Sequence, residues 1–289
     1  MAAADSIQHF LRDDGIRLTV VSIDTAAQTA QANHAMSSLA AGLLAQSMTG
    51  AALLANDFKN KEGVSLKWYT EGSAGIIYAD AYDGRFVRGY ADGEMDLSLA
   101  YSSKAESQAL SGAGKLIVTR YSLLKRAYTS AVDLSVSSVS DGIGLYLSQS
   151  DQTLSSVHTW ISLDDLGKIK QARGYLAQLL PGGNADAFHA LFPKGKIYTQ
   201  AESSASSIDR LVKEESFILL SQNELSFRCT CSEEKIKEGI LSLPPSEQRA
   251  LLEDEMTEVV CHYCGKVYTF PRDTLSAWVK EQETEVHHG

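Results

Sequence analysis

Cys229-Thr230-Cys231 and, after a spacer of 29 residues, Cys261-His262-Tyr263-Cys264-Gly265 hold all four cysteines of this 289-residue chain. A random scatter would not place them in two tight pairs. Two close pairs separated by a small-domain length are how a chain brings four thiolates to one tetrahedral metal. In a Cys-x-x-Cys-Gly turn the glycine can take positive φ, which lets backbone N–H groups approach sulfur. A thioredoxin-type redox motif would instead need a helix starting inside the motif, whereas Lys266-Val267-Tyr268-Thr269-Phe270 has strand character. The expected ligands are Cys229, Cys231, Cys261 and Cys264, around one zinc ion in a closed, structural coordination.

The segment around the cysteines reads as a small metal domain, residues 229–289. Pro244 and Pro245 suit the first turn of a helix whose apolar side would carry Leu251, Leu252 and Met256. Thr257–Val260 and Lys266–Phe270 read as strands flanking the Cys261–Gly265 turn, and Asp273 or Thr274 could cap a last helix. Leu275, Trp278 and Val279 should face inward, with Tyr268, Phe270 and Trp278 as core. About 60 residues is near the lower limit for folding on an apolar core alone, so the metal should carry much of the stability. Zinc-bound thiolates are also deprotonated nucleophiles, and each has a resolving cysteine two or three residues away. Small disulfide rings would restore little of the lost order.

Upstream, residues 178–228 change character. Pro181-Gly182-Gly183-Asn184 breaks any regular element, and Ser203, Ser204, Ser206 and Ser207 crowd together. Leu179, Leu180, Phe188, Leu191, Phe192 and Ile197 follow no sustained register. Ile208, Leu211 and Val212 begin a helical stripe that Glu215 interrupts, and Phe217–Leu220 is a compact apolar run. The segment is too apolar for a free linker and too irregular for a domain. A conditionally folded connector resting on a neighbour's surface fits both facts; two ordinary docking helices are the alternative.

Residues 1–177 read as a strand-rich domain. Strands are expected at 15–23, Val64–Thr70, Gly75–Tyr82, Arg85–Ala91, Lys115–Tyr121, Tyr128–Leu134, Thr153–Leu163 and Ile169–Leu176, with a hairpin at Tyr82-Asp83-Gly84-Arg85. One long helix is expected over His34–Phe58, with His34 an ordinary residue at its start, and a short one over Val139–Ser148. Gly42 and Gly50 weaken the long helix by roughly 1 kcal/mol each relative to Ala, which points to close packing there. Gly112-Ala113-Gly114-Lys115 lacks the spacing of a phosphate loop. The fold class is α+β: a strand-rich N-terminal domain with packed helices (1–177), a helical metastable linker (178–228) and a small C-terminal zinc-binding domain (229–289).

Composition narrows the function. A formal charge of −10 overall, and −6 from 6 Lys/Arg against 12 Asp/Glu over 229–289, has the wrong sign for nucleic acid. Met1–Arg12 carries no secretory pattern, and Leu39–Ala55 is interrupted by Gln46, Ser47 and Thr49, so no membrane span is expected. The expectation is a cytoplasmic protein, where paired cysteines serve as metal ligands or redox switches. No Ser/His/Asp or paired-carboxylate motif stands out, so no enzyme activity is expected.

Taken together, Cys229-x-Cys231, the 29-residue spacer, Cys261-x-x-Cys264-Gly265 and Tyr268-x-Phe270 closely resemble the redox-regulated chaperone family known as heat-shock protein 33. Val87-Arg88-Gly89-Tyr90, Gly114–Thr119 and Gln178-Leu179-Leu180-Pro181 extend the resemblance, and the domain order matches. Ser148-Gln149-Ser150-Asp151-Gln152 departs from it, where a Ser-Glu-Gln-type stretch is expected. The resemblance implies an ATP-independent holdase that is inactive while reduced and zinc-bound. Oxidation would form the redox-active disulfides Cys229–Cys231 and Cys261–Cys264, release zinc and unfold the linker. It further implies unfolded client proteins as partners, client binding and dimerisation through the N-terminal domain, a homodimer when oxidised, and ATP-dependent refolding chaperones downstream. The alternatives are a constitutive zinc-ribbon protein acting as an interaction module and, disfavoured by the strand after Cys264, a thiol oxidoreductase.

Overall fold

The structure, a computed structural model, describes all residues except 1–3, 35, 56–60, 93–97, 123–124, 194–204 and 289. The chain divides into two compact units, Met1–Arg228 and Cys229–Gly289, and its architecture is α+β.

The first unit begins with strands β1 (Ser6–Leu11) and β2 (Ile16–Ser22), then helices α1 (Asp24–Asn33) and α2 (Ser38–Leu54). Strands β3 (Glu62–Thr70), β4 (Ile76–Tyr82) and β5 (Phe86–Asp92), helix α3 (Ser103–Ala109), and strands β6 (Gly114–Ser122) and β7 (Lys125–Leu134) follow. Helix α4 (Val139–Tyr146) runs into a π-helical turn, Leu147–Asp151, which overlaps the Ser148–Gln152 stretch; Gln152 ends it with φ 51°. Strands β8 (Ser155–Leu163) and β9 (Ile169–Leu179) come next. Residues 178–228 then supply helices α5 (Ala185–Leu191) and α6 (Ala205–Glu214) and strands β10 (Ile218–Glu224) and β11 (Ser226–Phe227). Ile197, Ser203 and Ser204 lie outside the described residues.

Among the described residues two sheets result, one of five strands in the order β10-β1-β2-β9-β8 and one of six in the order β11-β5-β4-β3-β6-β7. All pairings are antiparallel except β11 with β5. Period-2 alternation makes each strand two-faced, and Val64, Leu66 and Trp68 of β3 line up with Ile77, Ala79 and Ala81 of β4 on the buried side. Asp83 and Gly84 turn the β4–β5 hairpin with φ 57° and 66°, the left-handed pair expected for the tightest connection.

Helix α2 packs against strands of both sheets, and every residue from Leu39 to Leu54 is buried. Gly42 and Gly50 permit this: a Cβ at Gly42 would meet Tyr101 at 2.6 Å, and one at Gly50 would meet the Ile143 side chain. The polar residues that interrupt the helix are satisfied internally. Gln46 donates to Tyr101 Oη at 3.1 Å, and Ser47 and Thr49 bond back to the carbonyls of Leu43 and Ala45. Among the described residues no helix is long and apolar enough to cross a membrane.

The expected helix over His34–Phe58 is α2, which starts only at Ser38, and α1 precedes it where no element was expected. His34 ends α1 in an extended conformation (φ −136°, ψ 138°), and Ser37 starts α2 afresh by accepting from Ala40 N–H at 3.1 Å. Residues 56–58 lie outside the described residues. A further apolar cluster covers the other face of the five-stranded sheet. Phe10, Ile16, Leu18, Trp160, Tyr175 and Ala177 of the sheet are capped by Phe188 and Phe192, Ile208 of α6, and Phe217. Helices α5 and α6 therefore dock on a sheet face, and Glu215, just past α6, accepts from Arg12 at 3.1 Å. In β10, by contrast, Ile218, Leu219 and Leu220 stand 58%, 49% and 59% exposed.

The second unit contains α7 (Glu233–Leu241), α8 (Pro245–Leu251), a hairpin of β12 (Met256–Val260) and β13 (Val267–Pro271), and α9 (Arg272–His288). Its core is small: Ile240, Tyr268, Phe270 and Leu275 are buried, flanked by Ile236, Leu251, Leu252 and Trp278. Met256 corrects one expectation. It belongs to β12 rather than to the α8 apolar side and is 51% exposed, because α8 stops at Leu251. Asp273 likewise sits in the first turn of α9, which already begins at Arg272.

Candidate metal centre

Each cysteine pair is held by its own local structure. Cys229 and Cys231 lie in the irregular stretch just before α7, whose N-cap Ser232 accepts from Lys235 N–H at 3.3 Å. Lys235 Nζ also reaches Thr230 Oγ1 at 2.9 Å, tying the residue between the two sulfurs to the helix. Cys261 and Cys264 occupy the turn between β12 and β13. Cys261 N–H bonds Lys266 O at 2.9 Å and Gly265 N–H bonds Cys261 O at 2.8 Å, while Gly265 sits at φ 68°. The chain after Cys264 continues as a strand.

The two pairs converge. Cys229 Sγ lies 3.5 Å from Cys261 Sγ, Cys231 Sγ lies 3.5 Å from Cys264 Sγ, and all four sulfurs are within 4.8 Å of one another. Tetrahedral coordination with metal–sulfur bonds of about 2.3 Å places sulfurs roughly 3.8 Å apart. The four thiols therefore fit a single tetrahedral ion. Each is half-buried and none is in a disulfide.

The surroundings treat the sulfurs unequally. Cys229 is pushed up to about 12, first by burial and further by its hydrogen bonds with neighbouring thiols, against a backbone N–H from Cys231. Burial also raises Cys264, opposed by the N–H of Lys266. Cys231 goes the other way. Burial disfavours its thiolate, yet donation from Tyr268 and from the three other thiols brings it down to about 7. Tyr268 Oη donates to that sulfur at 3.2 Å, which raises the phenol's own pKa. From sequence Tyr268 reads only as core; the one available signal is a tyrosine where a phenylalanine would fill the same space.

Comparison with known proteins finds relatives along nearly the whole chain. The family model described as Hsp33 protein matches residues 5–271. A 33 kDa chaperonin of Symbiobacterium thermophilum is 30% identical over 259 residues, covering 86% of this chain and 88% of its own. One from Levilactobacillus brevis is 27% identical over 294 residues, covering 98% and 100%. The crystal structure of the 33 kDa chaperonin (heat shock protein 33 homolog) of Thermotoga maritima matches with a TM-score of 0.84 at 23% identity, over 98% of this chain and 100% of that one. That last likeness speaks to the fold.

Proposed function

The chain belongs to the Hsp33 family of chaperones, and on that premise we propose that it is an ATP-independent holdase switched by oxidation of Cys229, Cys231, Cys261 and Cys264. The observation that carries this reading is the convergence of four sulfurs within 4.8 Å in a unit whose core, among the described residues, holds four buried apolar side chains. Bound zinc would supply a closed coordination that offsets two of the four thiolate charges and, at about 10–16 kcal/mol of apparent binding free energy, could hold such a unit folded.

The oxidant is a peroxide. A cysteine thiolate attacks one peroxide oxygen; the S–O bond forms, the O–O bond breaks and hydroxide leaves, giving a sulfenic acid. The second thiolate of the pair attacks that sulfur; the S–S bond forms, the S–O bond breaks and a second hydroxide leaves. Protonated, the two hydroxides are two waters, and each disulfide gives two electrons to one peroxide. The proposed products are Cys229–Cys231 and Cys261–Cys264. Sulfurs also stand close across the pairs, Cys229 to Cys261 and Cys231 to Cys264 at 3.5 Å each, so the folded cluster does not by itself dictate this pairing. Chain statistics favour it once the unit loosens, since closing a loop of three or four residues is roughly 20- to 40-fold easier than closing one of about 33. Strain in the Cys229–Cys231 ring offsets part of that advantage and keeps the link reducible.

Oxidised sulfurs no longer ligate, and a unit with so small a core then unfolds. Order is next lost in residues 178–228, whose α5 and α6 cover Phe10, Ile16, Leu18, Trp160 and Tyr175. That apolar sheet face, with the released connector, offers unfolding clients what they expose themselves. The oxidised form pairs as a homodimer through the N-terminal unit, and clients pass to ATP-dependent chaperones after reduction. The setting is the cytoplasm, and neither nucleic acid nor membrane is a partner.

Aggregation of a heat-unfolded client, followed with bound metal and free thiols before and after peroxide, tests the proposal. Suppression only after oxidation, with loss of metal and of four thiols and reversal by dithiothreitol, is expected. Equal behaviour in both states would point instead to a constitutive zinc-ribbon interaction module.

A further inference from the structure

The phenol that touches Cys231 is held there from several sides. Tyr268 is 4% exposed on β13, opposite Val259 of β12, and its ring stacks on Phe270 with planes 7° apart. The exposed ammonium of Lys266 sits over the same ring, 4.4 Å from its centroid. A cation on the ring face draws density from the phenol and makes its O–H a stronger donor. With the ring fixed, the hydroxyl points at Cys231 Sγ at 3.2 Å. Packing alone would be served by phenylalanine.

We propose that Tyr268 is a positioning residue of the switch: its hydroxyl withdraws electron density from the Cys231 sulfur and so slows that sulfur's attack on peroxide. This rests on the redox-switch reading above. In the metal-loaded cluster all four sulfurs are already thiolates, so donation no longer alters how much thiolate is present. It alters nucleophilicity, and partners outside the ligand shell characteristically tune ligands in this way. The reaction is the one already balanced, peroxide reduced to water as the sulfur passes through sulfenic acid to disulfide. Tyr268 sets the rate at which Cys231 enters it, and thereby the peroxide level at which the cluster opens. The ordinary strength of a charge-assisted hydrogen bond, damped by the roughly half-power dependence of thiolate nucleophilicity on basicity, gives an effect of about three- to tenfold.

The test compares the full-length, zinc-loaded chain with Tyr268→Phe and Lys266→Gln at fixed peroxide. Site-resolved alkylation and mass spectrometry follow each thiol, a colorimetric chelator follows zinc, and the cobalt-substituted forms supply a sulfur-to-metal absorption band. Tyr268→Phe should lose the Cys231 thiol about three- to tenfold faster and shift the band to longer wavelength, with the melting temperature of the loaded protein unchanged. Lys266→Gln, which leaves the hydroxyl in place, should accelerate Cys231 by less than threefold. An unchanged Cys231 rate and band in Tyr268→Phe would overturn the assignment. So would an acceleration shared equally by all four sulfurs alongside a lowered melting temperature, the mark of a purely structural residue. If Tyr268→Phe does not fold, Lys266→Gln decides, and an unaltered Cys231 rate there refutes the proposal. A wild-type chain that binds no zinc, or keeps it after full oxidation, removes the switch and this assignment together, and is recognised before any variant is compared.

Discussion

Shortening Phe188 to alanine should loosen the connector without oxidant. Phe188 is 1% exposed and packs against Phe192 at a centroid distance of 5.3 Å, which in turn meets Tyr175 of β9 at 5.8 Å. It is the most deeply buried side chain that α5 contributes to the cluster over the five-stranded sheet. A buried Phe→Ala change costs about 3–5 kcal/mol, because the transfer free energy is lost and a cavity remains. If that loss falls on docking of α5 and α6, it raises the open fraction of the connector on the order of 10²- to 10⁴-fold. Hydrogen exchange in the reduced, metal-loaded protein reads this directly. Amides of α5 and α6 should lose protection, those of β2 and β9 much less, and client aggregation should be partly suppressed before any peroxide is added. Leu43→Ala is the control: it removes comparable apolar volume from α2, between the sheets, and should lower overall stability without selective exposure of α5 and α6. Protection in α5 and α6 that falls no further in Phe188→Ala than in Leu43→Ala would refute the reasoning, since the connector would then not open as a separate element.

Three further outcomes follow from the geometry. Stripping the metal with a strong chelator should abolish the environment of Trp278, read by its fluorescence, while the first unit keeps its unfolding transition. Gly265→Ala places a side chain at φ 68° and should weaken the knuckle by about 1–2 kcal/mol, seen as roughly five- to thirtyfold weaker zinc retention against a competing chelator. His158 is pulled down to about 4 by burial, with Asp141 opposing, so the folded protein resists its protonation. The unfolded chain takes up that proton first. The stability it provides is therefore complete above about 6.5 and is lost as pH falls toward 4, by up to about 3 kcal/mol. Denaturant midpoints measured across that window should flatten in His158→Gln.

Legibility from the sequence followed physical range. Strands β2 to β9 could be read because alternation and turn chemistry are local, and the Asp83-Gly84 turn needs nothing from elsewhere. Helix α1 escaped because its Ala-rich sequence carries few large apolar residues to show a helical stripe, and the start of α2 was read four residues early because the Ser37 cap is a weak sign among so many helix formers. Strand β1 was hidden for another reason. Its Ile7 and Phe10 face opposite cores, and only one of its partners, β2, is local; the other, β10, comes from far along the chain. The irregular apolar pattern of 178–228 likewise makes sense only against the sheet face it covers. At the metal centre the four cysteines were legible because ligand chemistry lies in residue type and spacing. The role of the Tyr268 hydroxyl was not, since it depends on the β12–β13 register and on where Cys231 arrives from another part of the unit.

Both ends of residues 180–217 are stitched into one sheet. Leu179 pairs with Ile16 and Ile218 with Leu11, while Leu11 itself faces Arg17, so the two anchor points leave the same end of the sheet three strand spacings apart, about 14 Å. When this stretch melts it becomes a tethered bight, not a dangling tail. Its closure entropy is largely spent in advance, so under the proposed switch it would spring shut as soon as the four sulfurs are regathered, dislodging whatever it had gathered without fuel from a nucleotide.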